Sequence, residues 1–485
     1  MRKYGCISGK VKCFVICVVA VAVFVGQSVA AESGEDVMLS NSDRIQPYTA
    51  NPEYWQYKGK PVLLLGGSKT DHIFLLDDLK DHLDEMKEVG GNYVRNTMSQ
   101  REPVELKAHK LLPDGKFDMD QWNEDYWNRF QNMLKWTHER EIFVQIEVWD
   151  RFDFSTTHWE ISPWNPGNNI NYTYEETGFA EKYTDHPSRD KQPFFHSIEG
   201  MERYKKRYDL IREYQEKFVS KMLSYSLEYG HVLYCMDNET STPAAWGQYW
   251  IQFIKDKAAE KGVLVYATDM FDDAFRADKA VHTPIIFDNP EIYMFADVSQ
   301  NNSRNFNQEH WDKLQWLLKQ IRKHPRPVNN TKIYGSGFTS FGSGAPEDGV
   351  ERFWRNMIGG CASARFHRPT SGNGLNDLAK ASLKAARKME SMVKMWNLTP
   401  QMNLLSNRED NEAYLAAKAG EQYALYFPKN GSVGLDLSAH AGAFKLQWIS
   451  VSTGEWGDEV IIAGGGVAAI STPGDGGWVA AIVKQ

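Results

Sequence analysis

The sequence predicts a (β/α)8 barrel followed by a small β-sandwich. Between about Pro52 and Trp396, short apolar runs alternate with amphipathic stretches, which is typical of βα units repeated around a parallel sheet. Eight of these runs have the character of strands, and a helical pattern follows nearly every one, which is the count of the barrel. After Trp396, apolar and polar residues alternate between glycines, as in a small antiparallel sandwich.

The barrel strand candidates are short and rich in β-branched residues. They cover residues 62–66, 92–96, 142–148, 232–236, 263–268, 294–298, 327–334 and 361–366. Helical periodicity marks residues 76–89, 122–140, 203–225, 244–261, 311–323, 350–358 and 378–395. The unit after the fifth strand is the exception, because residues 271–281 are a poor helix and Pro284 is expected to break it. The sandwich strand candidates cover residues 413–417, 423–427, 433–437, 445–451, 467–470 and 478–483.

Residues 1–30 are predicted to be a secretory signal peptide. Four basic side chains precede an apolar run that ends at the small-residue site Ser28-Val29-Ala30. The run is about fourteen residues long, too short for a membrane span, so we expect a soluble mature chain that is secreted or periplasmic. Its removal leaves 51 of the 55 basic residues against 63 acidic ones, a net charge of −12, and nothing in this balance suggests a nucleic-acid partner.

The domain limits that follow are 1–30 for the signal peptide, 31–51 for a linker, 52–397 for the barrel and 398–485 for the sandwich. An aromatic-rich insertion at about 150–202 separates the third strand from its helix. A loop this long is usually functional or disordered, and its aromatic content argues against disorder. Most of these rings are expected to form the loop's own core, but Trp159 and Trp164 are candidates for exposed platforms that stack on sugar rings.

The two cysteines outside the predicted signal peptide are Cys235 and Cys361. We place them in the fourth and eighth strands, on opposite sides of the barrel. Cα atoms more than about 7 Å apart cannot be bridged without moving the backbone. We therefore expect two buried free thiols.

Reactive groups in such barrels lie at the carboxyl ends of the strands, where the loops converge on one open face. The predicted ends of strands three to six carry acids: Glu147, Asp237, Glu239, Asp269 and Asp297. Glycoside hydrolysis needs a carboxylic acid and a second carboxylate, which this sector supplies. The alternatives are ordinary ion pairs or a metal site, but no HExxH motif or comparable ligand spacing occurs, so neither a metal nor another cofactor is predicted.

The dipeptide Asn238-Glu239 directly follows the fourth strand candidate, unlike the other Asn-Glu pairs of the chain. In this it resembles clan A of the glycoside hydrolases, barrels in which Asn-Glu ends strand four. The resemblance implies that Glu239 is the acid/base and that Asn238 binds the substrate. Tyr93-Val94-Arg95 is similar to the end of strand two in that clan, where the arginine contacts the nucleophile.

A finer resemblance rests on two other segments. Residues 51–66 and 448–454 are similar to the apiosidase-like branch, whose barrel is followed by a β-sandwich named as a collagen-binding domain.

One departure from the clan stands out at strand seven. The clan places its nucleophilic glutamate at the end of this strand, where the present sequence has Lys332. Lysine cannot form the glycosyl ester. Either another strand supplies the second carboxylate, with Asp297 as the first substitute and Asp237 and Glu147 behind it, or the reaction is not a double displacement, or the site only binds.

Cations dominate the remaining strand ends. Lys332, Arg368, Lys69 and Arg95, together with His367, are expected to crowd one side of the pocket. Like charges about 4 Å apart cost about 4 kcal/mol at an effective dielectric of about 20, so such a cluster needs anions. These are either internal, from Asp71 or Asp297, or belong to a sulfated or uronate-containing substrate, which arginine forks bind well.

The sequence thus favours a secreted glycoside hydrolase whose partner is a polysaccharide or oligosaccharide, anionic in one version of the hypothesis. Two alternatives stay open. One is a barrel that binds glycan without turnover, which Lys332 suggests. The other is a polysaccharide lyase that uses a cation to neutralise a uronate.

Overall fold

The computed structural model describes residues 41–99, 106–184, 192–273, 275, 282–337 and 342–485. Residues from Leu39 to Gln485 form one compact unit. The predicted signal peptide at 1–30 lies outside the described residues. So does most of the predicted linker at 31–51.

The strands of the N-terminal and central regions follow the predicted pattern. An antiparallel sheet of β1 (Gln46–Tyr48), β2 (Asn51–Tyr57) and β3 (Lys60–Val62) comes first. Then follow β4 (Leu64–Gly67), β5 (Tyr93–Thr97), the hairpin of β6 (His109–Leu111) and β7 (Phe117–Trp122), β8 (Phe143–Trp149), β9 (Val232–Asp237), β10 (Ala267–Thr268), β11 (Ala296–Asp297), β12 (Val328–Asn329) and β13 (Ser363–Phe366). Each of the eight predicted barrel strands overlaps one of these, and the β6–β7 hairpin was not predicted.

The central strands form three parallel sheets, β5-β8-β9-β10, β11-β12 and β13-β4. Backbone hydrogen bonds connect the three sheets. Asn92 donates to Leu65 at 2.8 Å, Met294 to Ala267 at 3.0 Å and Ala362 to Val328 at 2.8 Å. Together with the pairings inside the sheets, these bonds put the strands side by side in chain order.

Strand seven is much shorter than predicted. Its regular pairing stops at Asn329 because side chains accept the next backbone N–H groups: Asn330 donates to Ser363 Oγ at 2.8 Å, and Thr331 and Lys332 donate to Ser299 Oγ at 2.9 and 3.0 Å. Side-chain acceptors interrupt the regular ladder here, and backbone pairing with strand eight resumes at Ile333, which donates its N–H to the Arg365 carbonyl at 3.0 Å. Irregular backbone therefore carries the residues that reach the open face.

The helices are α1 (Leu79–Glu88), α2 (Glu124–Glu139), α3 (Thr156–Glu160), α4 (Tyr174–Thr177), α5 (Asp209–Ser226), α6 (Ala245–Glu260), α7 (His282–Asp288), α8 (Asn307–Ile321), α9 (Pro346–Gly359) and α10 (Asp377–Met392). All seven predicted helices are present. The poor helix predicted at 271–281 lies mostly outside the described residues. The expectation that Pro284 breaks a helix was wrong, because this proline lies in the first described turn of α7. A proline is tolerated there, since the first N–H groups of a helix have no intrahelical partner.

The C-terminal part contains β14 (Thr399–Pro400), β15 (Leu405–Ser406), β16 (Tyr414–Lys418), β17 (Gln422–Phe427), β18 (Ser432–Asp436), β19 (Ala443–Ser450), β20 (Trp456–Ala463), β21 (Val467–Ser471) and β22 (Trp478–Lys484). They form two antiparallel sheets, β14-β16-β17-β22-β19-β20 and β15-β18-β21. Side chains of both sheets share one apolar core, which includes Leu425, Leu435 and Phe444. β20 was not predicted because most of its residues are exposed, so it lacks an apolar alternation.

The C-terminal sheets also join the core of the central region. Trp354 of α9 stacks on Tyr426 of β17 at 5.7 Å between ring centroids, and Trp311 of α8 lies 4.7 Å from Tyr414 of β16. Arg355 donates to Asn411 at 2.9 Å beside them. The predicted limit at 397/398 therefore crosses a continuous interior.

Cys235 and Cys361 are buried free thiols, as predicted. In the part of the chain that the structure describes, no helix has both the length and the apolar character needed to cross a membrane.

Candidate active site

Glu239 lies immediately after β9, in a turn that the backbone holds from three sides. Asp237 donates its N–H to Asp269 Oδ1 at 3.1 Å, Asn238 to the Trp149 carbonyl at 2.9 Å, and the backbone N–H after Glu239 to the Met270 carbonyl at 2.9 Å. Between these anchors Glu239 adopts a left-handed conformation with φ of 60°. A non-glycine residue in this region costs free energy and persists only where its surroundings impose it, which is common at functional sites.

The turn faces a cavity of about 260 Å³ at the carboxyl ends of the parallel strands. Residues on or after five of those strands, β4, β5, β9, β12 and β13, contribute to it, together with one ring from the insertion after β8. Its lining consists of Asp71, Arg95, Phe152, Asn238, Glu239, Lys332, Tyr334, His367, Arg368 and Ser371.

Lys332 and Tyr334 both contact Glu239. The Lys332 ammonium forms an ion pair with Oε1 and lies 3.3 Å from Asn238 Oδ1, and the Tyr334 hydroxyl donates to Oε1 at 3.0 Å. Lys332 is 1% exposed and Glu239 16%. Burial alone would raise the pKa of Glu239, but the charges of Lys332 and Arg151 and hydrogen bonds from Lys332 and Gln300 hold it well below its usual value. Glu239 is therefore an anion at neutral pH in the unliganded protein.

Asp71 is the second carboxylate of the cavity, and it contacts two arginines and a histidine. Oδ1 lies 2.6 Å from Arg95 and 3.4 Å from His367 Nδ1, and Oδ2 pairs with Arg368. Burial would raise the pKa of Asp71, but Arg95 and the neighbouring cationic groups hold it well below the usual range. Burial in turn holds the pKa of His367 well below its usual value, so the imidazole is neutral at neutral pH.

Arg95 joins Asp71 to a deeper acid. Its guanidinium is fully buried and also pairs with Glu147, which accepts a further hydrogen bond from Thr97 at 3.1 Å. Burial would lower the pKa of Arg95, but Asp71 and Glu147 raise it overall. Glu147, one of the candidates for the second carboxylate, lies behind Arg95 and does not line the cavity.

Asp297 is not the substitute carboxylate that the sequence suggested. It lies buried below the cavity, where its oxygens accept hydrogen bonds from Gln145 at 3.0 Å, from the Ser299 backbone at 3.0 Å, and from the hydroxyls of Ser299 and Thr331. Asp237 is also buried and absent from the lining. The internal partner of Lys332 is therefore Glu239 and not Asp297.

Three other predicted site residues lie elsewhere. Lys69 points out of the cavity and pairs with exposed Asp78 at 2.5 Å. Trp159 and Trp164 are fully buried, Trp159 donating to the Ala180 carbonyl at 3.0 Å and Trp164 packing on Phe194. Both tryptophans belong to the insertion's own core, so the expectation that they stack on sugars was wrong.

Six of the predicted site residues line the cavity: Glu239, Asn238, Arg95, Lys332, His367 and Arg368. Three further lining residues, Tyr334, Phe152 and Ser371, were not predicted to belong to the site. A signal for Tyr334 was available, because it lies two residues after Lys332 and alternate positions of an extended segment face the same side. No group of three or more potential metal ligands is found among the described residues.

Comparisons with known proteins agree with this architecture. The profile of a family described as a domain of unknown function, DUF6298, matches residues 107–289, a segment that contains Glu239. No curated protein is significantly similar to the chain.

Solved structures are similar over nearly the whole length. A glycoside hydrolase family 5 protein from Bacteroides vulgatus ATCC 8482 is 12% identical, with 91% of this chain and 93% of that one covered and a TM-score of 0.61. A protein described as a glycoside hydrolase is 11% identical, with 92% and 97% covered and a TM-score of 0.63. A maltogenic α-amylase from Thermotoga neapolitana is 14% identical, with 87% and 99% covered and a TM-score of 0.51. At such identities the likeness shows the fold, a mixed α/β region with a C-terminal β-strand region.

Proposed function

We propose that this protein is an exported glycosidase that acts on a polysaccharide or oligosaccharide. The observation that carries the proposal is the position of Glu239, a carboxylate held after the fourth parallel strand and facing a cavity. Hydrolysis of a glycosidic bond needs such a group beside the leaving oxygen. The fold shared with glycoside hydrolases supports the same reaction, although fold alone does not define chemistry.

The cavity suits one sugar unit at a time. Its volume of about 260 Å³ lies just below the range of typical small-molecule pockets, which begins at about 300 Å³. Phe152 supplies an apolar ring, and Asn238, His367 and Ser371 supply groups that hydrogen-bond to hydroxyls. Before Glu239 protonates a leaving oxygen, Lys332 must separate from Oε1, since the ion pair favours the carboxylate.

Most charged side chains of the cavity form ion pairs with other side chains of the protein. Arg95 is paired with Asp71 and Glu147, and Lys332 with Glu239. Arg368 is paired as well, with Asp71, but its side chain is 31% exposed, so it is the cation of the lining that an anionic substrate reaches from solvent. Sulfate or carboxylate groups on the sugar would contact this arginine.

A second function, glycan binding without turnover, is favoured by the ion pair itself. Lys332 occupies the end of strand seven and neutralises Glu239, so the site has the contacts for a ligand but no free acid. The finer assignments also belong to the proposal: a closed barrel, membership of the apiosidase-like branch, and removal of residues 1–30 on export, which N-terminal sequencing of the exported protein would test.

The decisive experiment measures products. The purified protein is incubated with 4-nitrophenyl glycosides and with neutral and uronate-containing polysaccharides, and reducing ends and near-ultraviolet absorbance are recorded. A glycosidase releases reducing ends, a lyase leaves an absorbing unsaturated sugar, and a binding protein leaves the polymer intact.

Glu239→Gln should lower turnover at least ~100-fold, because the amide cannot transfer a proton. Glu124→Gln is a matched control, since Asn123-Glu124 repeats the dipeptide at an exposed helix start. Full activity of Glu239→Gln would refute its assignment.

A further inference from the structure

We infer that Asp71 is the second catalytic carboxylate and acts as the nucleophile opposite Glu239. The inference rests on the proposed glycosidase function. It replaces the missing strand-seven glutamate with a residue from the loop after strand one, a position at which neither strand pattern nor motif spacing suggests a nucleophile.

The cavity lining selects Asp71. Of the carboxyl groups in the described ranges, Glu239 and Asp71 line the cavity, while Glu147, Asp237 and Asp297 lie outside the lining. A reaction that uses two carboxylates at one sugar therefore has this pair available.

The contacts of Asp71 suit an attacking anion. Arg95 is buried behind it and fixes Oδ1, so the carboxylate is oriented from the protein interior. Arg368 pairs with Oδ2 from the exposed side, and its Nε donates to Thr370 at 2.9 Å. A sugar that enters from solvent meets Arg368 first. We infer that it displaces Arg368 from Oδ2 and leaves this oxygen free to attack while Arg95 keeps the group ionised.

The arrangement of the strands explains how the loop after strand one can supply the nucleophile. β13 pairs with β4 in parallel, with Arg365 opposite Gly66 and Phe366 opposite Gly67. The loops after these two strands are therefore neighbours. Ile333, between Lys332 and Tyr334, forms a bridge to Phe366, so the ends of strands seven, eight and one converge on the same wall. A carboxylate lost from strand seven can be supplied from strand one without rebuilding that wall.

The proposed reaction has two steps. Before the first step, Glu239 separates from Lys332 and takes up a proton from solvent. In the first step, Asp71 Oδ2 forms a bond with the anomeric carbon, the glycosidic bond breaks, and the leaving oxygen takes the proton of Glu239. In the second, the Glu239 carboxylate accepts a proton from water, the water oxygen attacks the anomeric carbon, and the ester to Asp71 breaks. The products are the two sugar fragments. Asp71 is again a carboxylate, and the proton on Glu239 serves the next turnover or returns to solvent when the ion pair with Lys332 forms again.

The test uses the wild-type protein, so it does not depend on a variant that folds. The 2,4-dinitrophenyl 2-deoxy-2-fluoro glycoside of the sugar released most rapidly in the product screen is incubated with the protein, and the digest is analysed by mass spectrometry. We expect one fluorosugar on the peptide that contains Asp71. A label on Tyr334 or on another residue overturns the inference, as does turnover with inversion at the anomeric carbon. Inactivity of the wild-type protein on every glycan instead overturns the proposed function.

Variants give an independent reading. Asp71→Gly should lose at least ~1,000-fold in turnover and recover part of it with azide, releasing a glycosyl azide, because the small anion replaces the missing nucleophile. Glu147→Gln is the matched control, since it also removes an ion pair from Arg95 but leaves the cavity lining intact. Equal losses in both variants without azide rescue would mean that Asp71 only positions Arg95. Thermal melting establishes that each variant is folded, and the label on the wild-type protein decides if Asp71→Gly is not.

Discussion

Lys332 lowers the pKa of Glu239, the residue proposed as the general acid. It is buried, its ammonium contacts Glu239 Oε1, and it lies in the irregular segment that follows strand seven. A carboxylate beside such a cation has a lowered pKa and is a poor general acid near neutral pH.

Lys332→Met should therefore shift the pH dependence of hydrolysis. Without the ammonium, burial dominates and the pKa of Glu239 rises, so Glu239 stays protonated to higher pH. The basic limb of the kcat/KM profile for a 4-nitrophenyl glycoside should move upward by at least about one pH unit. Lys69→Met is the control, because Lys69 is a cation after β4 that pairs with Asp78 outside the cavity. An unchanged basic limb would show that Glu239 is not the acid.

Single residues also mark where sequence patterns stop being informative. Glu239, Arg95 and Arg368 were placed correctly because strand ends in this fold point to one face. Asp297 and Trp159 were misplaced, since their direction depends on partners such as Ser299 and Ala180 that spacing does not reveal. Asp71 was noted only as a counter-ion, because its position in the cavity depends on the irregular loop after β4.

At the scale of elements, the turn after β9 depends on α6 and β10. Asp269, after β10, accepts the N–H groups of Asp237 and Met270 and thereby anchors one side of Glu239. Its other oxygen packs against Gly247 of α6, where a Cβ atom would clash with it.

Gly247→Ala should accordingly impair both stability and activity. Alanine is the better helix former by about 1 kcal/mol, yet the overpacked contact costs about 1–3 kcal/mol and displaces the Asp269 carboxyl that holds the turn. Urea denaturation and turnover would measure the two effects. Gly474→Ala serves for comparison, since no atom lies within 4 Å of the added Cβ there. Unaltered kcat and unfolding free energy would show that the contact between α6 and β10 is not needed.

Asp269 makes the same element sensitive to pH. Burial raises the pKa of Asp269 to about 7, despite hydrogen bonds from Met270 and Asp237. Because the folded value lies above the unfolded one, the contribution of Asp269 to the free energy of unfolding is largest below about pH 4, falls as the pH rises to about 7 and then levels off. Asp269→Asn should flatten this decline, which amounts to at most about 4 kcal/mol. Urea titrations at pH 4, 5.5, 7 and 8 check it against exposed Asp256→Asn, and equal slopes in both variants would contradict the assignment.

Strand and helix positions were predictable to the extent that burial imposed a pattern. Eight apolar runs became eight strands because both faces of parallel strands are covered. The length of strand seven was overestimated because Ser299 and Ser363 accept the N–H groups of residues 330–332 and interrupt its regular ladder. β20 was not predicted because both of its faces are exposed, so its sequence does not alternate between apolar and polar residues.

For the whole molecule, the change of texture at Trp396 marked a real change of secondary structure but not a gap in packing. Tyr426 and Tyr414 of the C-terminal sheets contact Trp354 and Trp311 of the helices. Apolar periodicity reports which residues are buried, and it does not report against which partner. A boundary drawn from periodicity alone therefore separates residues that share one interior.

That shared interior has a practical meaning for anyone who recombines or shortens such chains. Helices α8 and α9 follow strands six and seven. Tyr414 and Tyr426 of the C-terminal sheets pack against them. Strand seven and its continuation carry the Lys332 and Tyr334 side chains that contact Glu239. The last ninety or so residues thus support the wall of the cavity, and joining the central region to a foreign partner in their place would remove that support.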